Sequence, residues 1–438
     1  MNGIGLIFSL AMAILVWALP RRWVSLPFLM GAVYMPVTQE LELGPLHFPI
    51  TRILITAGFL RVMAKGEKLA GEMNTLDRFM VAWAIWAFVS SLFHISSELL
   101  TRLGMVYTTL GIYFLFRIFV QDIEDIYNVF KIVCIVFVPV AASMLLERTT
   151  GRNSFELMGA ASSAVSRHGH FRAQGPFAHA ILAGTSGAAC LPMALLLWNE
   201  NRKFALIGIA AACGVVFASG SSGPVVTVLT ILLGMGLWKY RSHLSLFRWA
   251  GVGAIIALSL VMKDPVYYLV ARIDITGGST GWHRAALIDA AIKHFSQWCL
   301  IGTDYTRDWM PSGVYWNPNH TDITNYYLQM GVWGGMPMML LFMGIIWIAF
   351  LVVGRALKMS EEEPVERQFL IWTLGATLFG HATNFLSVSY FDQSCVFIYL
   401  LLANIGCLQA LTSVSSVTSE EDPIPVVPDH EPDLCHNS

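Results

Sequence analysis

Apolar runs of about twenty residues recur along nearly the whole chain, and this feature most constrains its fold. The hydrocarbon core of a bilayer is about 30 Å thick and requires roughly 20 apolar residues per helix. The sequence therefore predicts an all-α polytopic integral membrane protein with about 12–13 transmembrane helices. The predicted spans are 2–20, 24–38, 48–64, 76–94, 101–120, 126–147, 175–198, 204–219, 222–239, 246–263, 325–353, 369–388 and 391–411.

Charged residues are too few for a normal solvated surface. They make up 13% of the chain and hydrophobic residues 55%, whereas about a quarter of a soluble domain is charged. The net charge of −2 comes with scattered basic residues, so no nucleic-acid partner is expected. Seven cysteines form no CxxC motif, and four of them lie in apolar runs, which argues against a disulfide framework.

Lysine and arginine cluster in alternate connections, which the positive-inside rule assigns to the cytoplasm. Because Arg21 and Arg22 follow the first apolar run, which lacks a basic n-region, we expect that run to be a retained helix. The opposite side receives two substantial loops, 148–174 and 264–324. The tail 412–438 is acidic and is expected to be a disordered cytoplasmic end. The chain thus divides into N-terminal helices (1–147), a loop-bearing helical domain (148–411) and this tail.

The loop 148–174 breaks the charge rule because it lies on the outer side yet contains four arginines, which are Arg148, Arg152, Arg167 and Arg172. Such arginines could be solvated or could neutralise lipid headgroups. Alternatively, the planar donor fork of arginine is present because a ligand there offers phosphate oxygens. A pyrophosphate would fit.

The loop 264–324 contains a predicted amphipathic helix, Trp282–Gln297, preceded by the turn 277–280. Arg284 projects from its apolar arc, and an unpaired buried charge is costly. Arg284 therefore reaches headgroups, pairs with an acid or holds an anionic ligand, and Arg272 is a weaker candidate of the same kind. The aromatic residues of this loop suit a membrane-interface belt or sugar stacking; they are Trp282, Trp298, Tyr305, Trp309, Tyr315 and Trp316.

His320 is predicted to lie at or just before a helix N-terminus at the membrane surface. Imidazole can accept a proton near neutral pH, and Asp322 and Asn325 are close enough in sequence to orient it. The glycines beginning at Gly331 permit close backbone packing behind this position.

From about Arg172 to Asn384, the chain resembles the O-antigen ligase and O-antigen polymerase superfamily of bacterial envelope glycosyltransferases. His320-Thr321, nine residues and then Gly331-Val332-Trp333-Gly334 is similar to a family pattern, although Asn, Ser or Gln is commoner than threonine. Arg284 with the following apolar residues resembles the arginine-bearing helix of the family's large periplasmic loop. The segment Arg172-Ala-Gln-Gly-Pro-Phe-Ala-His179 resembles the one ahead of its central helices.

One turn departs from the family. Members often carry an arginine in a Thr-x-Ser-Arg-Gly-like turn, and here that turn reads Ser219-Gly220-Ser221-Ser222-Gly223. Either Arg172 or Arg167 supplies the charge, or this branch has altered the chemistry, or the site has lost it.

The resemblance implies a metal-independent, inverting transferase of the bacterial inner membrane whose active face is periplasmic. A polyprenyl-pyrophosphate-linked glycan would be the donor, and a glycan or lipid the acceptor. His320, assisted by Asp322, would be the base, while Arg284 and Arg172 would stabilise the leaving pyrophosphate, with Arg167 and Arg272 as further binding candidates. No cofactor is expected, because no spacing of acids and histidines in the loop matches a metal-ligand set.

Two other functions stay open. A lipid-linked oligosaccharide flippase would also need many helices and internal polar groups such as His381 and Asn384, although no internal repeat is visible. A non-catalytic membrane component of polysaccharide assembly is the other alternative.

Overall fold

The structure, a computed structural model, describes residues 1–44, 46–167, 169–272, 281–314, 317–391 and 393–418. The predicted turn 277–280, the aromatic residues Tyr315 and Trp316, and residues 419–438 of the predicted acidic tail lie outside this part of the chain.

The described chain is mostly helical, and each predicted apolar span contains one helix. In order, the helices are α1 (Gly3–Ala18), α2 (Ser25–Tyr34), α3 (Ile50–Lys65), α4 (Thr75–Ser91), α5 (Ser96–Phe119), α6 (Ile123–Thr150), α7 (Ala180–Leu196), α8 (Arg202–Ser219), α9 (Ser222–Gly236), α10 (Leu244–Val261), α11 (Gly281–Lys293), α12 (Phe295–Trp298), α13 (Tyr326–Met359), α14 (Val365–Asn384) and α15 (Gln393–Thr418). Helices α11 and α12 lie where the sequence predicts one amphipathic helix.

Five helical stretches among the described residues are long and apolar enough to cross a membrane, and they are 99–119, 123–150, 202–219, 222–261 and 326–359. Helices α1, α7 and most of α15 are apolar but shorter. The number of crossings remains a prediction of the sequence.

Capping residues extend some helices beyond their apolar runs. Helix α6 begins after Asp122, whose side chain accepts a 2.7 Å hydrogen bond from the Asp125 amide. It ends before Gly151, which has a left-handed φ of 74°. Both ends are stabilised by common capping geometry, so the helix exceeds the predicted 126–147. Helix α15 continues to Thr418, so residues 412–418 of the predicted disordered tail are helical.

Three antiparallel hairpins complete the described structure. They are β1 (Glu40–Leu43) with β2 (Leu46–Pro49), β3 (Val165–Arg167) with β4 (His170–Arg172), and β5 (Gly313–Val314) with β6 (Asn317–Thr321). Short 3₁₀ turns lie at Arg21–Trp23, Ser154–Met158, Leu237–His243, Val266–Arg272 and Arg307–Trp309.

The N-terminus, the first hairpin and the loop 148–174 meet at one end of the helix bundle, which we call the loop end. The Asn2 side-chain amide donates to the Leu157 carbonyl at 3.2 Å, and the Thr38 hydroxyl donates to the Gly159 carbonyl at 2.7 Å. The large loop between α10 and α13 joins the same end through Arg284, which contacts the segment after α14.

Helix α13 is interrupted near the loop end. Gly334 and Gly335 have non-helical backbone angles, and Gly335 has a φ of 76°. The carbonyls freed by this break bond to protein groups: Val332 accepts from the Thr303 amide at 2.9 Å, Trp333 from Arg102 at 2.6 Å and Gly334 from Trp86 at 2.7 Å. The break therefore fixes the segment around Thr303 against the bundle.

Candidate functional site

Arg172 ends strand β4, and a buried carboxylate fixes the backbone that follows it. Glu147, in the last turn of α6, is fully buried and accepts hydrogen bonds from the amides of Gln174 at 3.2 Å and Gly175 at 2.8 Å. The Ala173 amide also donates to the Ala218 carbonyl at 3.1 Å. These bonds hold Arg172 against the end of α8.

The side chain of Arg172 reaches the turn in which the family resemblance leads one to expect an arginine. Its Nη2 donates a 2.7 Å hydrogen bond to the Ser221 hydroxyl. Arg148 lies beside the same turn, 4.5 Å above the Phe217 ring, and its Nη1 would be 3.0 Å from a Cβ at Gly220. Two arginines of the loop 148–174 therefore lie at this turn.

Arg284 occupies helix α11 and is half-buried. Its Nε donates a 2.9 Å hydrogen bond to the Ser387 carbonyl, which follows α14. Burial lowers the pKa of Arg284, the Asp322 charge raises it and the Arg167 charge lowers it. Arg167 also lowers the pKa of Arg172, after the larger effect of burial. The charge of Arg167 thus acts on Arg284 of one loop and on Arg172 of the other, which indicates that the three side chains lie near one another.

Asp322 and His179 are solvent-exposed. Burial raises the pKa of Asp322, while the charges of His283 and Arg284 lower it. Burial, followed by the charges of Arg172 and Arg167, lowers the pKa of His179 to about 4. The charges of Arg167, Arg172 and Arg284 act on these two groups or on one another, which indicates that the five side chains lie near one another. We call the part of the surface formed by Arg167, Arg172, His179, Arg284 and Asp322 the arginine recess.

His320 lies at the edge of this region, but not where the sequence places it. It belongs to strand β6, whereas α13 begins at Tyr326. Its Nδ1 is 3.1 Å from the hydroxyl oxygen of Thr306, a fully buried residue. His320 and Asp322 are two positions apart in the chain, so their Cα atoms are separated by at most about 7 Å.

The residues expected to orient His320 have other partners. Asn325 caps α13 by accepting from the Leu328 amide at 3.0 Å, and its amide group donates to the Leu386 carbonyl at 3.3 Å. The charges that act on Asp322 are those of Arg284 and His283. The structure shows Thr306 in contact with the His320 ring.

Arg272 ends the 3₁₀ turn Val266–Arg272 with an exposed side chain, and the described residues offer it no hydrogen bond or ion pair. Its role in ligand binding stays a prediction. Four residues near the recess had no predicted role, and they are His179, His283, Ser221 and Ser387. His179 and His283 were visible as histidines beside candidate arginines, whereas the contacts of Ser221 and Ser387 depend on folding.

Buried arginines elsewhere have carboxylate partners. Arg61 pairs with Glu67 at 2.7 Å, Arg102 with Asp304 at 3.1 Å and Arg117 with Asp77 at 3.1 Å. In the part of the chain that the structure describes, no carboxylate lies within ion-pair distance of the loop-end arginines Arg148, Arg167, Arg172 and Arg284. The Nε of Arg172 also lacks a hydrogen-bond partner there.

One group of possible metal ligands occurs among the described residues, and it lies outside the recess. It consists of Glu40, Glu42 and His47 on the β1–β2 hairpin. Asp304, one of the acids of the large loop that could be weighed as a metal ligand, is bound by His94 at 2.7 Å and by Arg102. The recess contains three guanidinium groups and one carboxylate, that of Asp322, and guanidinium groups bind anions through charge-assisted hydrogen bonds.

The chain matches no protein-family model and no curated protein.

Proposed function

We propose that this protein is a membrane glycosyltransferase that transfers or polymerises a polyprenyl-pyrophosphate-linked glycan at its loop end, facing the periplasm of a bacterial inner membrane. The observation that carries the proposal is that, among the described residues, no carboxylate lies within ion-pair distance of the arginines of the recess. Half-buried arginines without an ion-pair partner are costly, and a bound pyrophosphate would offset that cost with charge-assisted hydrogen bonds.

Each side chain has a defined part in the proposed reaction. The acceptor hydroxyl oxygen bonds to the anomeric carbon while the bond from that carbon to the pyrophosphate oxygen breaks. The bonding electron pair leaves with the lipid pyrophosphate, and Arg172 and Arg284 stabilise the developing charge. His320 takes the proton of the acceptor hydroxyl. A single displacement of this kind inverts the anomeric centre.

The missing arginine of the turn 219–223 fits this proposal. Arg172 hydrogen-bonds to Ser221 of that turn, which supports the alternative that a neighbouring loop supplies the charge. The proposal therefore assigns to Arg172 the role that the resemblance gives to the arginine of the turn.

The flippase alternative gains little from the one interrupted helix. Transporters use the free carbonyls of broken helices to coordinate ions or substrates. Here the carbonyls of Val332, Trp333 and Gly334 already accept hydrogen bonds from Thr303, Arg102 and Trp86. The break in α13 is thus better explained as an anchor for the large loop.

The test uses the full-length protein in lipid vesicles with a polyprenyl-pyrophosphate-linked glycan and a glycan acceptor. We expect release of the lipid pyrophosphate together with a new glycosidic bond. His320→Ala should slow transfer by roughly 100-fold or more, which is typical of a lost general base. Arg284→Gln should also slow transfer, whereas Lys293→Gln, a change at an exposed position at the other end of α11, should leave the rate unchanged.

Two results would overturn the proposal. One is a folded, inserted protein that neither releases lipid pyrophosphate nor forms a glycoside. The other is movement of the intact lipid-linked glycan across the vesicle membrane, which would favour the flippase.

A further inference from the structure

His179 occupies an unusual position in the arginine recess. It is the N-cap residue of α7, and its Nδ1 accepts a 3.2 Å hydrogen bond from the Ile181 amide. A ring nitrogen that accepts a hydrogen bond carries no proton, so a neutral imidazole in this place carries its proton on Nε2. The cap thereby fixes the tautomer of His179 and leaves Nε2–H as a donor.

The surroundings of this donor favour an anion. Arg172 and Arg167 are the charged groups that act on the His179 ring, and both are cationic. Their charges and burial lower its pKa to about 4, so the ring is neutral at pH 7. The side chain is nevertheless solvent-exposed and can therefore be reached by a ligand. It also lies at the positive end of a helix of 17 residues, where negative charge is favoured.

We propose that His179 contacts the phosphoanhydride of the ligand directly, with Nε2–H donating to a phosphate oxygen beside the guanidinium groups of Arg172 and Arg167. The identification of that ligand as a lipid pyrophosphate rests on the proposed function. The role of His179 as a neutral donor rests on the cap and on the two arginines. His179, the N-cap residue of α7, thus joins the site residues of the two loops.

The two ring nitrogens of His179 have different roles: Nδ1 caps α7, and Nε2–H is the proposed donor to the ligand. Serine at position 179 can still cap α7 by accepting from a backbone amide, but its hydroxyl does not reach the place of Nε2. His179→Ser therefore removes the donor while keeping the cap. The matched control is His243→Ser, which alters an exposed histidine of the Leu237–His243 turn, between α9 and α10.

The experiment measures binding of inorganic pyrophosphate to the full-length protein in nanodiscs by isothermal titration. We expect His179→Ser to weaken binding by about tenfold, the usual effect of one hydrogen bond to a charged group, and His243→Ser to bind like the wild type. Titration reports affinity and the number of sites separately. A loss of folded protein would therefore lower the number of sites without imitating a change in affinity.

The pH dependence gives a second readout. The Ile181 amide holds the Nδ1 lone pair and the pKa of His179 is lowered to about 4, so the ring stays neutral between pH 7 and 5. The ratio of wild-type to His179→Ser affinity should therefore stay constant over this range, and a ratio that grows as the pH falls would contradict the role of a neutral donor. Because both proteins meet the same ligand, the protonation of pyrophosphate itself cancels in the ratio.

Several outcomes would decide the matter. His179→Ser that binds pyrophosphate as tightly as the wild type overturns the inference, even if glycan transfer is found. A His179-dependent affinity in a protein that transfers no glycan supports the anion site and removes only the proposed function. If replacing phosphatidylcholine by phosphatidylglycerol in the nanodisc abolishes pyrophosphate binding, the site belongs to lipid headgroups and the pyrophosphate assignment is overturned.

Discussion

Arg117 and Arg172 differ in the hydrogen-bond partners of their guanidinium groups. Arg117 is fully buried between helices, where Asp77 accepts two hydrogen bonds from it at 3.1 Å and Tyr113 donates to the same carboxylate. Arg172 is half-buried and contacts the neutral Ser221 hydroxyl. The first arrangement is complete without a ligand. The second has unused donor capacity beside the cationic Arg167, which is typical of a binding site and costly in a purely structural one.

This contrast predicts opposite effects on stability and binding. Arg117→Met should lower the free energy of unfolding by about 3–5 kcal/mol, because it leaves the buried Asp77 carboxylate without its cation. Arg172→Met leaves no carboxylate without its ion-pair partner. It should change this free energy by no more than about 1 kcal/mol, the typical contribution of one hydrogen bond. Chemical unfolding in detergent micelles measures both changes.

Pyrophosphate binding supplies the complementary measurement. Binding should be lost in Arg172→Met and kept by the folded fraction of Arg117→Met. A strong loss of stability in Arg172→Met with unchanged pyrophosphate binding would mean that this arginine is structural, and the recess would lose its central cation.

At the scale of elements, glycines join the large loop to the interrupted helix α13. Gly302 has a φ of 92°, and a Cβ placed on it would lie 2.3 Å from the Val332 carbonyl oxygen. The next residue, Thr303, donates from its amide to that same carbonyl at 2.9 Å. Thr306, which contacts the His320 ring, follows three residues later. The close approach at Gly302 therefore sets the position of the segment that holds His320.

We expect Gly302→Ala to lower the free energy of unfolding by about 2 kcal/mol or more, since the left-handed backbone and the close carbonyl both oppose a Cβ. It should also slow glycan transfer by moving the Thr306 segment. Gly236→Ala is the matched control, because Gly236 ends α9 and a Cβ added there would meet nothing within 4 Å. Alanine there should be neutral or stabilising by up to about 1 kcal/mol. Equal thermal midpoints and transfer rates for the two variants would contradict this account of Gly302.

The helices could be predicted from the sequence because apolar runs are local, and each predicted span does contain a helix. Helix ends were less predictable: the span 24–38 contains only Ser25–Tyr34, and charged caps extend α6 beyond its apolar run. Contacts between residues far apart in the chain could not be predicted from sequence patterns. Arg172 meets a serine 49 residues away, and Arg284 a carbonyl 103 residues away. Local patterns hold no information about such pairs, and the expectation that Arg172 and Arg284 share one ligand came from the family resemblance alone.

The local structure around His320 was also not predictable from the sequence pattern. Its distance from the apolar run of α13 suggested a helix terminus, but Asn325 caps that helix and the preceding residues form strand β6 against β5. The orienting group, Thr306, comes from 14 residues earlier in the chain. A hairpin this short has little periodicity, which is why the pattern did not predict it.

At the scale of the whole molecule, the two ends of the bundle differ in how their charges are balanced. At the end opposite the loops, Arg21 pairs with Asp125 at 2.8 Å, Arg61 with Glu67 at 2.7 Å and Lys131 with Glu200 at 2.5 Å. At the loop end, the arginines of the recess have no such partners among the described residues. Uniform positive-inside anchoring explains the excess of basic residues at the first end, but it does not explain the cations at the second.

This asymmetry predicts an orientation that can be measured. Leu157, which is 74% exposed at the loop end, and Glu361, which is exposed in the turn between α13 and α14, lie at opposite ends of the bundle. With a membrane-impermeant thiol reagent on intact bacterial cells whose outer membrane has been permeabilised, Leu157→Cys should react at once. Glu361→Cys should react only after the inner membrane is opened, and the unsubstituted protein controls for its native cysteines. The reverse pattern would put the arginine recess in the cytoplasm, where a periplasmic glycan donor cannot reach it, and would exclude the proposed function even if pyrophosphate bound.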